Sequence, residues 1–300
     1  MLDARFIPGS TLKRIVDSLK DHFKKVVMNC TEEGVAIQAM DESHVSLAKL
    51  HLPENAFDFY RCDQQMDLGM DLSVISKVFH ACEASDCVHI KADKEKDTVS
   101  FAFKSMEKDG AEEDGGRYSK FDVALINLDV ESLAVPEEEY EATVVASSSD
   151  FQKICRNLVA IASENANVEV IMNKENISFK TTGDKGTGIT GGCIELKEGS
   201  GTGSVRLRVE SPISLTFPLR YLRDFTKASS LSESVMLSMN QGKPICVHYP
   251  LGQPSSGDDK EEGGKEGKEL DTPMEGEGSG PNRGYLSFWL APQIDEEHEE

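Results

Sequence analysis

The second half of this 300-residue chain repeats the pattern of the first half. An amphipathic helix near 10–25 matches one that follows Ser147–Asp150, and a helix near 72–82 matches one beginning at Pro218. Two strand pairs also match, KVVMNC/VAIQAM and NVEVIM/ISFKTT, as do the closing strands YSKFDVALI and YLSFWLAPQI. Because the matches keep one order and nearly one offset, the sequence predicts an internal duplication at domain scale.

The duplication predicts an α+β chain of two similar domains, 1–126 and 140–300, joined by an acidic connector at 127–139. Short strands bounded by turn residues lie between two helices in each half, which indicates antiparallel sheets. Acidic, Gly-rich loops interrupt the pattern at 105–116 and about 251–284. The longer one has few large apolar residues, so we expect it to be a disordered insertion.

Composition excludes several classes of protein. No apolar run approaches the roughly 18 residues that span a bilayer, and the N-terminus has no apolar signal region, so neither membrane insertion nor secretion is expected. Seven scattered cysteines without paired spacing indicate reduced thiols in the cytosol or nucleus. The chain has no GxGxxG, P-loop or HExxH motif, so we predict no enzyme and no cofactor. A hidden acid–base or metal site among the 53 acidic residues remains an alternative.

Positive and negative charges are unevenly distributed along the chain. The formal net charge is -21, yet the exposed faces of all four predicted helices carry Lys and Arg. A single basic helix face is usually only a solvated face, but four at repeated positions indicate one surface that meets a polyanion. Because no aromatic residue lies among these cations, base stacking on single strands is not expected. The pattern favours a loose contact with a duplex backbone.

Exposed apolar residues in the connector are open to two interpretations. Leu133, Val135 and Pro136 lie among carboxylates. They either pack on their own domain or help to form a groove for partner peptides. His44 is a lone histidine after a predicted strand, for which a structural or surface role is favoured over a catalytic one.

Together these segments resemble the proliferating cell nuclear antigen family, the sliding clamps of eukaryotes. The resemblance covers nearly everything outside the inserted loops, and it is carried in order by MLDARFIPGSTLK, QAMDESHVSLAKL, YRCDQQMDLGMDLSVISK, LDVESLAVPEEEY, ICRNL, LTFPLRYLRDFTKAS and WLAPQIDEE. It implies a DNA-clamp fold, with sheets outside and helices facing a channel. It also implies a nuclear homotrimeric ring around double-stranded DNA. A subunit of a heteromeric checkpoint-type clamp is the alternative within the same fold.

The resemblance implies a DNA-facing set on the helices, carried over position by position: Lys13, Arg14, Lys20, Lys77, His80, Lys153, Arg156, Arg220 and Lys227. The chain departs from the family at His80, where a lysine is usual, and at Gln64, where a basic residue is usual. Both differences reduce the positive charge of the expected channel at neutral pH. The edge strands expected to join subunits lie near 118–122 and 190–196.

A groove for PIP-box peptides is also implied, and its expected residues are Met40, His44, Val45, Leu47, Leu133, Val135, Pro136, Tyr140, Pro244, Trp289, Ala291, Pro292 and Ile294. Trp289 stands where the family usually has Tyr. Lys174 matches the lysine that family members use for ubiquitin attachment. The implied partners are the replicative DNA polymerase, the clamp loader, the flap endonuclease, DNA ligase and other PIP-box proteins.

Overall fold

The computed structural model describes residues 1–105, 117–128, 139–162, 165–183, 189–200, 205–252 and 283–293. Most of the expected insertion at 251–284 and of the connector at 127–139 lies outside these ranges, so their predicted conformations stay predictions. The elements of the first half, in order, are β1 (Leu2–Phe6), α1 (Gly9–Leu19), β2 (Lys25–Thr31), β3 (Gly34–Met40), β4 (Ser46–Pro53), β5 (Phe59–Cys62), β6 (Met66–Asp71), α2 (Leu72–Phe79), β7 (Cys87–Ala92), β8 (Thr98–Lys104) and β9 (Tyr118–Ala124).

The second half has the same order of strands and helices, which confirms the predicted duplication. Its elements are β10 (Ala142–Ser147), α3 (Ser148–Ile161), β11 (Asn167–Met172), β12 (Asn176–Thr182), β13 (Gly191–Lys197), β14 (Arg206–Val209), β15 (Ile213–Pro218), α4 (Leu219–Phe225), β16 (Ser234–Met239), β17 (Ile245–Pro250) and β18 (Tyr285–Leu290). Short 3-10 turns at Glu54–Ala56 and Thr226–Ser230 complete the described elements.

The strands form three antiparallel sheets. One sheet has the order β5-β1-β7-β8-β9 and lies in the first half, and another has the order β13-β12-β11-β15 and lies in the second half. The largest joins the two halves in the order β14-β10-β16-β17-β18-β4-β3-β2-β6. Its central pair is β18 with β4, in the register Tyr285↔His51 through Leu290↔Ser46. The halves are therefore joined by main-chain pairing as well as by the connector.

Alternation along the strands places one face of each sheet in the core, and the helices cover that face. In β10 the buried residues are Ala142, Val144 and Ala146, and in α1 the apolar stripe Leu12, Ile15 and Leu19 is buried against the sheets. Each half thus buries its apolar positions between strands and two helices, as the periodicity predicts.

Two predicted helices are longer than the observed ones. Helix α1 ends at Leu19 because the backbone N–H groups of His22 and Phe23 both return to the Leu19 carbonyl, and β2 begins at Lys25. Helix α2 ends at Phe79, and two tight turns carry the chain on to Cys82. At α4, Pro218 is the N-cap rather than the first helical residue. Among the described residues, no helix is both long and apolar enough to cross a membrane.

Candidate functional site

The four helices and the 3-10 turn at Thr226–Ser230 form one layer across both halves. Helix α1 packs on α2, α3 packs on α4, and the 3-10 turn contacts both α1 and α3. The apolar face of each helix is buried, so the polar faces lie on the outer side of a shared layer. Every cation of the expected DNA-facing set lies on this layer.

In the first half, the expected cations differ in how far their side chains are exposed to solvent. Arg14 is exposed and donates through Nη1 to the Ser230 carbonyl at 3.0 Å, which links α1 to the second half. Lys13 is partly buried, with Nζ 3.0 Å from the Cys82 carbonyl. Lys77 and His80 are exposed at the end of α2. Residue 77 therefore places a full positive charge on the outer side, whereas residue 80 carries one only when the imidazole is protonated.

In the second half, Lys153 and Arg156 are exposed on α3. Arg156 hydrogen-bonds the Gln152 side chain at 3.4 Å. Arg220 is exposed at the start of α4, with its guanidinium carbon 5.0 Å from the centre of the Tyr221 ring. Lys227 is held between two carboxylates, 2.6 Å from Asp21 and 3.1 Å from Asp224. Lys227 is thus the cation of the expected set whose charge is most fully balanced by neighbouring carboxylates.

Two of these cations have an acidic partner on the same helix, at a spacing that the sequence shows. Asp17 precedes Lys20 by three residues, with 2.6 Å between Oδ1 and Nζ, and Asp150 precedes Lys153 by three residues at 3.4 Å. Residues three apart lie on the same side of a helix, so each carboxylate screens the lysine above it. The helix layer consequently attracts phosphates less strongly than its number of cations alone indicates, as expected for a loose contact.

Asp224 is the centre of an ionic cluster where the two halves meet. Its carboxylate lies 2.9 Å from His22 Nε2. The Arg223 guanidinium donates hydrogen bonds to both carboxylate oxygens, at 2.9 and 3.0 Å. Burial alone raises the pKa of this carboxyl, but hydrogen bonds from His22, Arg223 and Lys227 outweigh it and hold the pKa well below its usual value. The His22 ring stacks on Tyr221 at 4.8 Å between centroids, which ties the end of α1 to α4.

The expected peptide groove is built around the β18–β4 pair. Trp289 pairs with Leu47 across these strands, and Leu47 pairs with Met40 on β3. The Ala291 N–H donates to the Val45 carbonyl at 3.0 Å, which continues the pairing past the end of β18. Each of these side chains is only partly buried, so the structure brings them together on an accessible surface.

Tyr140 lies beside Trp289 and receives a hydrogen bond from the indole Nε1 at 3.3 Å. Pro244 is exposed directly before β17, whose first residue pairs with Leu290. Pro292 follows Ala291 and is partly buried. Leu133, Val135, Pro136 and Ile294 lie outside the described residues, so their place in the groove stays a prediction.

One tight loop shapes the end of the groove near His44. His44 has a φ of 57°, in the left-handed region, and its N–H returns to the Asp41 carbonyl at 3.0 Å. The Asp41 carboxylate accepts from the backbone of Val45 and Ser46 at 2.9 and 2.6 Å, and from the Tyr221 hydroxyl at 2.9 Å. The loop that presents His44 and Val45 is therefore fixed by a buried acid in contact with the opposite half.

Lys174 is exposed in the turn between β11 and β12, where the Asn173 N–H bonds the Asn176 carbonyl at 2.8 Å. It lies on a hairpin tip that a large modifying group can reach. Among the described residues, no group of three or more His, Cys, Asp or Glu side chains is arranged to hold a metal ion.

Comparison with known proteins gives one consistent family. The model of the proliferating cell nuclear antigen N-terminal domain matches residues 1–132, and the model of the C-terminal domain matches residues 134–255. A relative from Chaetomium thermophilum, described as proliferating cell nuclear antigen, is 35% identical over 298 residues, covering 98% of each chain. These matches do not favour the checkpoint-type alternative. The chain therefore belongs to the proliferating cell nuclear antigen family and is a DNA sliding clamp.

Proposed function

We propose that three copies of the chain close head to tail into a ring, with the helix layer lining a central hole around duplex DNA. The observation that carries this proposal is the cationic outer side of one continuous helix layer in a chain of net charge -21. A basic surface on an otherwise acidic molecule attracts a polyanion there and repels it elsewhere. The expected set Lys13, Arg14, Lys20, Lys77, His80, Lys153, Arg156, Arg220 and Lys227 is the proposed DNA contact.

Two open sheet edges support the ring. Strand β18 of the second half pairs with β4 of the first half within one chain. Their counterparts in the duplication are β9 and β13, and each lies at the end of its sheet order. These strands agree with the edge strands expected near 118–122 and 190–196. Repetition of one head-to-tail contact around an axis closes a ring, and closure leaves neither edge exposed.

Weak contact with DNA suits a ring that slides. Asp17 and Asp150 screen Lys20 and Lys153, so the layer attracts phosphates without fixing them. Retention would then come from encirclement rather than affinity. A closed ring must be opened for loading, which we assign to an ATP-driven clamp loader, while the chain itself performs no chemistry. We place this function in the nucleus.

The surface around Trp289, Leu47 and Val45 is the proposed site for PIP-box peptides. It is partly exposed, apolar and bounded by the fixed Asp41–His44 loop, which suits an apolar anchor of a partner peptide. The proposed users are the replicative polymerase, the flap endonuclease, DNA ligase and other PIP-box proteins. We also propose domain limits of 1–126 and 140–300 about the connector 127–139, and ubiquitin attachment at Lys174.

Charge reversal on the helix layer tests the channel. The double variant K20E/K153E should lower polymerase processivity on loaded circular DNA by about tenfold, because two phosphate contacts become repulsive. The ring mass should not change. The matched control K94E/K174E reverses two exposed lysines on turns between strands, and it should leave processivity within about twofold of the unchanged protein, since charge far from the channel contributes little. Full processivity of K20E/K153E would contradict the channel assignment.

A further inference from the structure

Resting on the peptide groove proposed above, we infer that Arg206 and Arg208 form a second contact for the same partners, which binds acidic residues about six positions from the apolar anchor. Both arginines lie on β14, the outermost strand of the nine-stranded sheet, which pairs only with β10. Their side chains are exposed, whereas Leu207 and Val209 pack partly against the core. The strand therefore presents both guanidinium groups to solvent on one face.

The charge of these two arginines is not balanced within the part of the chain that the structure describes. Neither guanidinium forms an ion pair or a hydrogen bond with another described residue. The counterpart of β14 in the first half is β5, where Arg61 lies opposite Asp3 and its Nε is 2.7 Å from Asp63. In the second half, Arg208 lies opposite Thr143 instead of an acid. The second half thus has the cation without the carboxylates beside it.

Cross-strand pairing places the arginines on the same face of the sheet as Trp289. Residues directly opposite one another on adjacent strands have side chains on one face. From β14 to β3, one row of opposite residues consists of Arg208, Thr143, Ser238, Cys246, Trp289, Leu47 and Met40. The adjacent row begins at Arg206 and continues through Val145, Met236 and His248 to Ser287 and Lys49. The arginines and the groove therefore share one sheet surface.

Two glutamates determine the side from which an acidic segment approaches the arginines. Glu141 and Glu210 lie together at the far end of the β10–β14 pair, where the Glu210 N–H donates to the Glu141 carbonyl at 2.9 Å. Negative charge at that end repels an acidic segment. In the row of Arg206, the path towards the groove crosses Val145 and Met236, which are only partly buried. We assign this path to the acidic segment.

The distance between the two contacts sets the spacing expected in a partner. Trp289 and Arg208 are four strand steps apart in the sheet order, and neighbouring strands lie about 4.8 Å apart, so about 19 Å separates them. An extended chain advances about 3.3 Å per residue, so about six residues span this distance. A partner with Asp or Glu at this spacing from its apolar anchor can contact both sites at once.

An acidic extended peptide is the occupant that charge complementarity favours. A guanidinium donates paired hydrogen bonds to a carboxylate, and Arg206 and Arg208 lie about 6.6 Å apart along the strand. The same spacing separates alternate residues of an extended peptide, so two carboxylates there can each meet one arginine. Nucleic acid would need a broader cationic surface, whereas Glu141 and Glu210 border this one.

Peptides with charged and neutral flanks test the second contact. Each peptide carries the apolar anchor, a Gly-Ser spacer of about six residues and a flank in which every second residue is either Glu or Gln. Two sets are compared, with the flank before or after the anchor. Fluorescence anisotropy should show that the Glu peptide of one set binds about three- to tenfold more tightly at about 50 mM salt. This preference should disappear near about 0.5 M salt, because exposed ion pairs are screened.

Variants assign the preference to the two arginines. R206Q/R208Q should bind the Glu peptide no more tightly than the Gln peptide, and its unchanged affinity for the Gln peptide would show that the groove is intact. K94Q/K96Q is the matched control at two exposed lysines of the turn between β7 and β8, and it should keep the preference. A spacer of about two residues reaches only about 7 Å, so it should abolish the preference.

The outcomes separate the acidic contact from the groove itself. Equal affinity for the Glu and Gln peptides, or a preference that persists in R206Q/R208Q, would overturn the acidic contact while the groove stands. A Gln peptide whose binding does not depend on Trp289 would overturn the groove and this contact together. A single-stranded oligonucleotide that binds more tightly than the Glu peptide, and loses that affinity in R206Q/R208Q, would reassign the arginines to nucleic acid and overturn the inference.

Discussion

Asp41 shows how one residue connects the fold to the groove. Its carboxylate is buried, which alone raises its pKa, but hydrogen bonds from Ser46, Tyr221 and Val45 hold the pKa below its usual value. Since Tyr221 comes from α4, the acid fixes both the His44 loop and the meeting of the two halves. A sequence can place an acid before a turn, but it cannot show that a tyrosine 180 residues away completes the site.

His248 is the residue for which the pH dependence of stability can be worked out. Burial lowers the pKa of this imidazole to about 4, and Nδ1 lies 2.8 Å from Ser287 Oγ. The unfolded chain, with an ordinary histidine pKa of about 6.5, binds the proton first as pH falls. His248 therefore favours the unfolded state progressively between about pH 6.5 and about pH 4, and has no such effect above pH 6.5.

H248N removes this titration and keeps a side chain able to bond Ser287. The free energy of unfolding of H248N should fall less steeply between about pH 6.5 and 4.5 than that of the unchanged protein, by about 1–3 kcal/mol across that range. Denaturant unfolding at a series of pH values measures it. H80N is the matched control, at an exposed histidine. Parallel curves for H248N and the unchanged protein would show that His248 is not the titrating group.

Trp289 should contribute directly to peptide binding. W289A removes the largest described aromatic surface of the groove and leaves Tyr140 without its indole donor. We expect PIP-box peptide affinity, measured by calorimetry, to fall about tenfold or more, as for aromatic anchors at other interfaces. W289F keeps an aromatic ring without the donor and should lose less. Unchanged affinity in W289A would move the peptide site elsewhere on the molecule.

The sequence predicts the order and type of the helices and strands better than it predicts where each of them ends. Hairpins and four helices follow from period and turn residues, and all lie where predicted. The predicted ends of α1 and α2 lie too far along the chain. Cationic and apolar residues continue the helical spacing beyond both helices, but hydrogen bonds to the Leu19 and Phe79 carbonyls turn the backbone there. The cations were predicted from their spacing, but their neutralisation by Asp21 and Asp224 was not, since Asp21 lies on a different element from Lys227.

The junction between the end of α1 and α4 depends on Asp224. D224N removes the carboxylate that His22, Arg223 and Lys227 share, so the free energy of unfolding should fall by about 1–3 kcal/mol near neutral pH. Because the pKa of Asp224 is depressed in the folded protein, its contribution is present above about pH 4 and is lost as pH falls further.

The control is D17N, which also breaks an ion pair of the helix layer. Asp17 and Lys20 are 46% and 31% exposed, and such pairs contribute only about 0–1 kcal/mol. Urea unfolding of both variants should therefore separate a buried junction from a solvated pair. An equal decrease in the free energy of unfolding for D17N and D224N would mean that Asp224 does not hold the two halves together.

At the scale of the molecule, the duplication explains why one chain carries both faces of a contact. The nine-stranded sheet that joins the halves shows the pairing that β9 and β13 still lack. Sequence comparison of the halves could predict this equivalence, but it could not give the register, which depends on pairing within each sheet. We propose that encirclement, and not affinity, holds the clamp on DNA.

Retention on circular DNA distinguishes encirclement from direct binding. The clamp, loaded by a clamp loader onto a nicked circle, would be separated from free protein by gel filtration, before and after the circle is cut once by a restriction enzyme. We expect stable retention on the circle and rapid loss from the linear DNA at the same salt, because a ring slides off a free end. Equal retention on both forms would show that direct binding holds the protein, and would contradict the ring.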